Sequence, residues 1–364
     1  MKNLYTDISI LQSVPASNMN RDDVGSPKTV IYGGVIRSRV SSQSWKRAIR
    51  EGFNNNDKLG NLVGIRTKKV VTLVAKRMVE LDSAYDFEKA KETVAKVLNG
   101  SKIKVDKNNE TGALFMLSHG QVDRLANYIL ENGDNFDKKE VKKVITSDKS
   151  LDMALFGRMV ADDPELNVDA SAQVAHAIST HEIVPEYDYY TALDDEQSKD
   201  SQGAAMLGTI EFNSSTLYRY ANVNVNDLAH NLESQNAIKG VKEFLRSFIL
   251  SMPSGKQNSF ANKTLPSYVM VTIRKDTPIN LVSAFEEPVK SHGGYMKESI
   301  KRLESEYTNT LKFAEKPIAN FVLSLDKIDH SVSFDAEDTE NIDSLLDKVA
   351  SVLEKAVQDE SHND

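Results

Sequence analysis

The chain has 364 residues and a formal net charge of -8, with 40% hydrophobic and 27% charged residues, which is ordinary for a soluble globular protein. It has no cysteine, which excludes disulfides, cysteine-ligated zinc, iron–sulfur clusters and a cysteine nucleophile. No stretch approaches the ~20 apolar residues of a membrane span, and the first residues lack the apolar core of a signal peptide. We therefore expect a cytoplasmic protein that contacts no membrane.

Apolar patterning predicts a sheet at the start of the chain. Alternation over residues 4–14 predicts a strand, and apolar runs at 30–32 and 35–40 flank a Gly-Gly pair as in a β-hairpin. A helix is expected to follow at once, beginning at Ser41 or Ser42.

Helical periodicity dominates the middle of the chain and then gives way to strands. Asn and Gly breaks separate predicted helices at 67–81, 86–98, 118–132, 137–146 and 170–183. Strand character is predicted at 187–193 and 207–223, with a polar tip between them. The remaining predicted elements are helices at 226–236 and 238–251, a strand at 268–273, a helix at 296–315, a strand at 318–325 and an acidic helix at 340–357.

Strands therefore lie at both ends of the chain, with a helical block between them. This order predicts an α+β fold in which a helical insertion interrupts one sheet domain, and it argues against two tandem domains.

Charge is segregated along the chain. Residues 21–80 hold thirteen Lys or Arg against five Asp or Glu, whereas residues 326–364 hold three Lys against twelve acids. Such segregation indicates a local anion site on a protein that must otherwise stay soluble, and a polyphosphate backbone is the natural anion for so extended a patch. The alternative is a chance cluster of cations on solvated helices.

The helix predicted after residue 40 is the sharpest candidate site. One face holds the residues that would pack on the sheet, which are Trp45, Ala48, Ile49, Gly52 and Phe53, and the opposite side holds Gln43, Lys46, Arg47 and Arg50. Ser41 and Ser42 stand at the expected N-cap, where backbone amides and the helix dipole favour a phosphate. The alternative is a serine-capped helix with a solvated basic face.

A polar loop, Asn20-Arg21-Asp22-Asp23 with Lys28, forms a second cluster. Adjacent acids beside an arginine could hold a metal ion or activate water, although such acids more often orient the arginine or cap a turn. No other acid or histidine is spaced to complete a metal site, so we expect no metal and no cofactor.

Two pairs of lysines are predicted to form a ridge on one helix, at Lys138, Lys139, Lys142 and Lys143. A solvated face and a contact to a nucleic-acid backbone both account for it. His176 and His181 are five residues apart and do not share a helical face, so they are expected to pack or to hydrogen-bond. No complete catalytic constellation is present, which argues against an enzyme.

Three blocks of sequence carry a resemblance to a known family. The first is Asn20-Arg21-Asp22-Asp23, Tyr32-Gly33-Gly34 and Arg39-Val40-Ser41-Ser42-Gln43-Ser44-Trp45-Lys46-Arg47-Ala48. The second is Ala154-Leu155-Phe156-Gly157-Arg158-Met159 and Ala175-His176-Ala177-Ile178-Ser179-Thr180-His181, and the third is Tyr190-Thr191-Ala192-Leu193-Asp194-Asp195, Leu207-Gly208-Thr209, Glu211-Phe212 and Tyr218-Arg219-Tyr220-Ala221-Asn222. Together they resemble the CasC family, the backbone subunits of Cascade, the type I-E CRISPR surveillance complex.

The resemblance implies a hand-shaped α+β fold with an RRM-like palm, a helical fingers insertion and a β-hairpin thumb. The implied bounds are 1–59 for the first part of the palm, 60–183 for the fingers, 184–223 for the thumb hairpin and its return strand, and 224–364 for the second part of the palm with the acidic helix. The chain lacks the aromatic RNP1 motif of an ordinary RRM, which agrees with binding through the RNA backbone.

The resemblance also implies a function without catalysis. Copies of the chain would stack head to tail along one CRISPR RNA, kink it at regular intervals and present it for pairing with target DNA. The implied partners are the large subunit, the small subunit, the subunit at the 5′ end of the guide and the guide-processing endoribonuclease.

Residue roles carry over position by position. The RNA backbone would be gripped by Arg21, Lys28, Ser41, Ser42, Gln43, Lys46, Arg47 and Arg50. The wedge that kinks the guide would consist of Met159, Tyr190, Thr191, Leu193 and Leu207, and the finger lysines that contact target DNA would be Lys138, Lys139, Lys142 and Lys143. Two alternatives remain open, which are a metal-dependent endoribonuclease that cuts target RNA through Asp22 or Asp23, and a general single-strand RNA chaperone.

Overall fold

The computed structural model describes residues 3–56, 59–192, 206–232 and 234–361. The chain divides into two compact units. The first unit comprises Met1–Gly52, Val174–Asn222 and Lys242–Asp364, and the second comprises Phe53–Gln173 and Val223–Val241. Strands and helices are mixed throughout, which confirms the predicted α+β class. In the described part of the chain, no helix has the length and apolar character needed to cross a membrane.

The strands and helices are numbered in chain order. The strands are β1 (Tyr5–Ser17), β2 (Thr29–Tyr32), β3 (Val35–Val40), β4 (Ile65–Thr67), β5 (Phe115–Leu117), β6 (Ala172–Val174), β7 (Ala177–Ser179), β8 (Glu186–Ala192), β9 (Met206–Asn224), β10 (Tyr268–Arg274), β11 (Ala319–Ser324) and β12 (Glu337–Asp338). The helices are α1 (Ser42–Asn54), α2 (Val70–Leu81), α3 (Phe87–Gly100), α4 (His119–Asn132), α5 (Lys138–Thr146), α6 (Leu151–Phe156), α7 (Val225–Leu232), α8 (Ser234–Leu250), α9 (Gln257–Phe260), α10 (Met296–Thr310) and α11 (Ile342–Ser361).

The first unit is built on a sheet with the strand order β12-β11-β10-β1-β9-β7-β3-β2. Strand β1 pairs antiparallel with β10, with Tyr5 opposite Arg274 and Leu11 opposite Tyr268. Every residue of β10 is buried, because helices and loops cover both faces of the sheet centre. A cluster of buried side chains, which includes Phe285 and Leu303, packs beside these strands.

A buried arginine fixes the predicted β2–β3 hairpin at the sheet edge. The Arg37 side chain is fully buried and donates to the carbonyl oxygens of Tyr32 (3.1 Å), Ser179 (3.0 Å) and Phe285 (2.9 Å). At the hairpin tip Gly33 has φ +60, and an added Cβ would lie 1.7 Å from the carbonyl oxygen of Glu286. Only glycine therefore fits this turn.

A second buried arginine, Arg219 on β9, lies between two aromatic rings. Its guanidinium carbon is 3.8 Å from the centroid of Trp45 and 4.6 Å from that of Phe248. The guanidinium donates to Gln12 Oε1 at 2.6 Å and to the carbonyl oxygen of Phe248. Burial lowers the pKa of Arg219 to about 9. One side chain thus joins β1, β9, α1 and α8.

The second unit is a helical block formed by α2 to α5 around a core that includes Val74, Val94, Leu125 and Ile145. Arg158 stabilises the chain after α6 by donating to the carbonyl oxygens of Leu166 (2.9 Å), Met116 (3.1 Å) and Ile145 (3.1 Å). Burial lowers its pKa to about 10.

Most of the long predicted elements are confirmed, with one error. The helix predicted over 170–183 is wrong, because this segment forms β6 and β7, and β7 pairs antiparallel with both β3 and β9. The helical unit begins at Phe53, ends at Gln173, and takes up the chain again over Val223–Val241. The bounds expected for palm, fingers and thumb stay a prediction. The RRM-like character of the palm stays a prediction.

A polar cluster near the C-terminal part of the first unit contains a histidine that contacts two carboxylates. His330 Nδ1 lies 2.7 Å from the buried Glu304 carboxylate, and its Nε2 lies 3.1 Å from Asp338. Tyr268 donates to the same Glu304 oxygen at 3.0 Å. Burial alone would lower the pKa of His330, but the hydrogen bonds to Asp338 and Glu304 outweigh it and raise the pKa above its ordinary 6.5.

This raised pKa predicts a stability that falls as pH rises. The contribution of His330 is fully present below pH 6.5, where the imidazolium forms in both states, and is lost as pH rises through the higher pKa of the folded state. In urea unfolding between pH 6 and 8, His330→Gln should remove part of the pH dependence, whereas the exposed His292→Gln should keep it. Equal curves for the native chain and His330→Gln would contradict the assignment.

Candidate nucleic-acid interface

Helix α1 has the two faces predicted from its sequence. Trp45, Ala48, Ile49 and Phe53 are all at most 4% exposed, and Trp45 packs edge-on against Phe248 with ring centroids 6.5 Å apart. The polar face of the helix carries Gln43, Lys46, Arg47 and Arg50, of which Gln43 and Arg47 are exposed and Lys46 and Arg50 half-buried. The basic face therefore points away from the core that Trp45 anchors.

The start of α1 is tied to the preceding loop by Asn20. The backbone amide of Ser41 donates to Asn20 Oδ1 at 2.8 Å, and the carbonyl oxygen of Asn20 accepts from the amide of Lys28 at 2.9 Å. Ser41 Oγ accepts from the amide of Ser44 at 3.4 Å, which confirms a serine N-cap. The loop that carries Arg21 and Lys28 is thereby held beside the positive end of the helix dipole.

Asp22 caps a turn within this loop. Its Oδ1 accepts from the amides of Val24 (3.0 Å) and Ser26 (2.9 Å), the pattern of an Asx turn. Asp23 is exposed. Among the described residues there is no group of three or more His, Asp or Glu that could hold a metal ion.

Asn18 joins the same loop to the root of the long hairpin formed by β8 and β9. This residue is 1% exposed, and its Nδ2 donates to the carbonyl oxygens of Gly25 (3.0 Å) and Glu211 (2.9 Å). A side chain with two donors is needed to bridge two separate carbonyls in this way. The loop is therefore fixed to α1 through Asn20 and to β9 through Asn18.

Cations cluster at the base of the loop. Arg39 donates to the carbonyl oxygen of Thr29 at 3.0 Å, and its Nη1 lies 3.1 Å from His176 Nδ1. The pKa of His176 is lowered by burial and then by the charges of Arg39 and Lys28, so the local potential is positive. Arg21 is exposed, and no acid of the described chain lies within 4 Å of it.

The cations of α1 differ in their surroundings. Arg47 pairs with Glu51 at 2.8 Å on an exposed helix face, where an ion pair is worth little. Partial burial lowers the pKa of Lys46, because its ammonium has lost some hydration.

The β8–β9 hairpin presents two different faces. Thr191 and Leu207 are direct cross-strand partners and share one face with Tyr187 and Tyr189, which are 68% and 64% exposed. Tyr190 lies on the opposite face, over Gly208, where an added Cβ would be 2.3 Å from its Cζ. The predicted wedge residues are therefore split between two faces of the hairpin.

Two other predicted wedge residues are not placed with this hairpin. Met159 belongs to the second unit, directly after Arg158, and is 79% exposed. Leu193 lies outside the described residues.

The predicted lysine ridge is uneven. Lys142 is directed toward the protein, where its ammonium lies 2.6 Å from Asp163 and also pairs with Glu165, and the hydrogen bond to Asp163 is the main reason why its pKa is raised. Lys143 pairs loosely with Glu140 at 3.6 Å. Lys138 and Lys139 are exposed, and within the described chain neither has an acid within 4 Å.

His181 has the packing role that its position in the sequence predicts. It stacks on Tyr295 with ring centroids 3.6 Å apart, and its Nε2 accepts from the amide of Thr216 at 3.0 Å. Since Nε2 is an acceptor, Nδ1 carries the proton and donates to the carbonyl oxygen of Glu182. Burial lowers the pKa of His181, which favours this neutral form.

Several residues of the interface were not assigned from the sequence. Asn18 and Asn20 act through hydrogen bonds to distant backbone, which no spacing rule shows. The segment before α9 was not assigned either, and an added Cβ at Gly255 would lie 2.2 Å from the carbonyl oxygen of Met19, which places this segment against the loop. The adjoining Lys256 has a left-handed backbone, φ 53, a conformation that non-glycine residues rarely adopt.

The comparisons with known proteins give the family. The family model described as "CT1975-like protein" matches residues 6–348. The chain belongs to this family. A chain of a solved structure described as "CRISPR RNA-guided surveillance complex, pre-nicking" is 32% identical, with a TM-score of 0.87 over 96% of this chain and 100% of that one. A chain from a "CRISPR RNA-guided surveillance complex" is 28% identical, with a TM-score of 0.76 over 95% and 99%. No curated protein matches the chain.

The role of Asn20 can be tested by stability. Asn20→Ala leaves the amide of the buried Ser41 without its acceptor, and an unsatisfied buried donor costs about 1–3 kcal/mol. We expect a loss of this size in the free energy of unfolding measured with urea. The control is Asn54→Ala, at an exposed position of α1. A loss no larger than that of the control would show that the loop is not held through this bond.

Proposed function

We propose that the chain is a noncatalytic, CRISPR RNA-binding backbone subunit of a type I-E Cascade complex. Copies of it would assemble head to tail along the guide RNA in the cytoplasm, kink the guide at regular intervals and present it for pairing with invading DNA. The observation that carries the proposal is the similarity, over 96% of this chain and 100% of the other, to a chain of an RNA-guided surveillance complex.

The loop and the start of α1 supply a grip that does not depend on RNA sequence. A guide must be held whatever its spacer, and contacts to phosphates give affinity without reading bases. Arg21, Lys28, Lys46 and Arg50 supply the charges, and Ser42 and Gln43 supply polar groups at the helix start. The hydrogen bonds of Asn18 and Asn20 support this role because they fix the loop before RNA binds.

The β8–β9 hairpin is the proposed thumb. Apolar side chains can part a stack of bases and tolerate any base, since every base has a π-face. Thr191 and Leu207 point to the same face, so they can act as one wedge, whereas Tyr190 is placed to support the strand pair across Gly208. Met159 would add to the wedge from the fingers.

The finger lysines are proposed to contact target DNA. Lys138, Lys139 and Lys143 are exposed and available for phosphate contacts. Lys142 is engaged with Asp163 and Glu165, and its contribution would require those pairs to open. The other proposed partners are the large subunit, the small subunit, the subunit at the 5′ end of the guide and the guide-processing endoribonuclease.

The turn-capping bonds of Asp22 support a role without catalysis. A carboxylate oxygen that accepts two backbone amides is already used to hold the loop. Nothing in the described chain favours the alternative of an endoribonuclease that acts through Asp22 or Asp23, so we propose no metal and no cofactor.

Charge removal tests the grip. The double variant Lys46→Gln with Arg50→Gln should weaken guide binding equally for guides with unrelated spacers. It should also flatten the slope of log affinity against log salt by about 0.7 for each phosphate that is no longer neutralised, or about 1.4 in all. Fluorescence anisotropy of labelled guides across a salt series measures both quantities.

A matched control uses Lys297→Gln on α10, an exposed lysine of the same unit. It should change neither affinity nor slope. A loss that depends on spacer sequence would contradict a backbone grip. Tight binding of any single strand by the isolated chain, without assembly, would favour the RNA-chaperone alternative.

Substitution of the wedge tests the thumb. Thr191→Ala with Leu207→Ala should leave stability within about 0.5 kcal/mol, because both side chains are exposed. In the assembled complex it should abolish the regular interval of reactive bases that chemical probing of the guide reveals. Met206→Ala, on the opposite face of the hairpin and 56% exposed, is the control and should keep the interval. Survival of the interval in the double variant, or its disappearance in both, would refute the wedge.

A further inference from the structure

The helical second unit contains a cavity that the guide-binding proposal does not use. Its volume is about 320 Å³, and it lies among the 3-10 turn at Gly60–Leu62, helix α4, the chain just before and at the start of α6, the end of α7 and the start of α8. All of the residues that line it belong to the same compact unit.

The cavity is strongly cationic. It presents Arg124, Lys149 and Lys239 against the single acid Asp148. Lys149 donates to the neutral Asn231 Oδ1 at 2.8 Å, and Arg124 Nη2 lies 3.6 Å from the Asp148 carboxylate. Within the described chain no acid lies within 4 Å of Lys149 or Lys239. Two positive charges are therefore left uncompensated.

The electrostatics of Lys149 point the same way. Burial is the first cause that lowers its pKa, and the charge of the nearby Arg158 lowers it further. An ammonium that is partly desolvated and repelled by a second cation is stabilised by an anion that enters the cavity.

The backbone holds the cavity in shape before any ligand arrives. Asp148 has a left-handed backbone, φ 47, and its carbonyl oxygen accepts from Ser118 Oγ at 2.6 Å. An added Cβ at Gly120 would lie 1.6 Å from Asp148 Oδ2, so glycine is needed for this carboxylate to sit against α4. Strain of this kind persists only where surrounding structure imposes it, and it clusters at ligand sites.

The walls add an apolar element. Leu59, Leu62, Leu151 and Leu232 line the cavity beside the cations. An added Cβ at Gly240 would come within 2.8 Å of a δ-methyl of Leu151, so α8 approaches closely here without a side chain of its own. A ligand must therefore combine an anionic group with a flat or apolar part.

We propose that this cavity binds one nucleotide, with its phosphate held by Arg124, Lys149 and Lys239 and its base against the leucine wall. The volume is at the lower end of the ~300–1,000 Å³ of small-ligand pockets, which fits one nucleotide and not a helix. A guanidinium beside two ammonium groups is a phosphate-binding set. The nucleotide comes from a free mononucleotide or from a single strand of nucleic acid, and the site is independent of guide binding.

The test uses the purified full-length chain and deoxyadenosine monophosphate as the probe. Isothermal titration at low salt should show binding, with inorganic phosphate bound more weakly because it lacks the base. Lys149→Gln with Lys239→Gln should weaken binding at least about tenfold, because the loss of a single charge-assisted hydrogen bond to the phosphate already lowers affinity by about that factor. Lys76→Gln, an exposed lysine of α2, is the control and should have no effect.

Further experiments identify the source of the nucleotide and distinguish this site from the proposed guide-binding residues. A single-stranded dodecamer that competes with the mononucleotide, and loses affinity in the same double variant, identifies a strand as the source; failure to compete identifies the free nucleotide. The Lys46→Gln and Arg50→Gln variant should keep mononucleotide binding. The single variant Lys239→Gln changes an exposed side chain and should not disturb folding. It should weaken nucleotide binding even without the second substitution. Absence of binding by the native chain, an equal loss with Lys76→Gln, or tighter binding of a polyglutamate peptide than of the nucleotide would overturn the proposal.

Discussion

The orientation of helix α1, whose basic face belongs to the proposed guide-binding surface, depends on the guanidinium of Arg219, which is buried between the rings of Trp45 and Phe248. No carboxylate neutralises it among its hydrogen-bond partners, which are Gln12 and the carbonyl oxygen of Phe248. The lowered pKa of Arg219 records the cost of burying this charge, and contacts of 3.8 and 4.6 Å to two aromatic faces offset part of it. An apolar core would have been a simpler way to pack α1. The arginine instead contacts Trp45 on the buried face of α1, and the basic residues of the helix lie on the opposite side.

Fixing the helix would be of little use if the loop before it were free to move. Asn20 ties the loop to the first turn of α1, and Asn18 ties it to β9 near the point where the pairing of β9 with β8 begins. Both bonds use amide side chains and backbone groups, so they add no charge to the surface that is proposed to bind phosphates. Recognition that ignores sequence has to obtain its affinity from geometry set in advance, since there is no base contact to correct a poor fit. The neutral asparagines thus place the charged residues.

The sequence predicted the parts of this arrangement that local patterns encode. Apolar residues with a period of 3.6 located the long helices and predicted which face of α1 is buried. The Gly-Gly pair located the β2–β3 hairpin. The helix predicted over 170–183 was wrong because the alanines of this segment favour a helix, whereas the pairing of β7 with both β3 and β9 makes it a strand. The roles of Asn18, Asn20 and Arg219 depend on partners up to 207 residues away, as in the Arg219–Gln12 bond, and no local pattern contains them. The division of the predicted wedge residues between two faces of the hairpin could be seen only from the register of β8 against β9.

Many of the segregated charges, which first suggested a nucleic-acid partner, are engaged in contacts within the protein. Within residues 21–80, Arg37 is used entirely on buried carbonyls, Arg47 pairs with Glu51, and Arg77 pairs with Glu80 and Asp123. The acidic segment is likewise engaged: on α11, Asp343 pairs with Arg246 and Asp347 with Lys242, both on α8. A count of charges along the chain therefore overstates the surface available to RNA. The cations of the loop and α1 are held in position by neutral and buried groups, so the proposed binding of RNA would depend on their placement more than on their number.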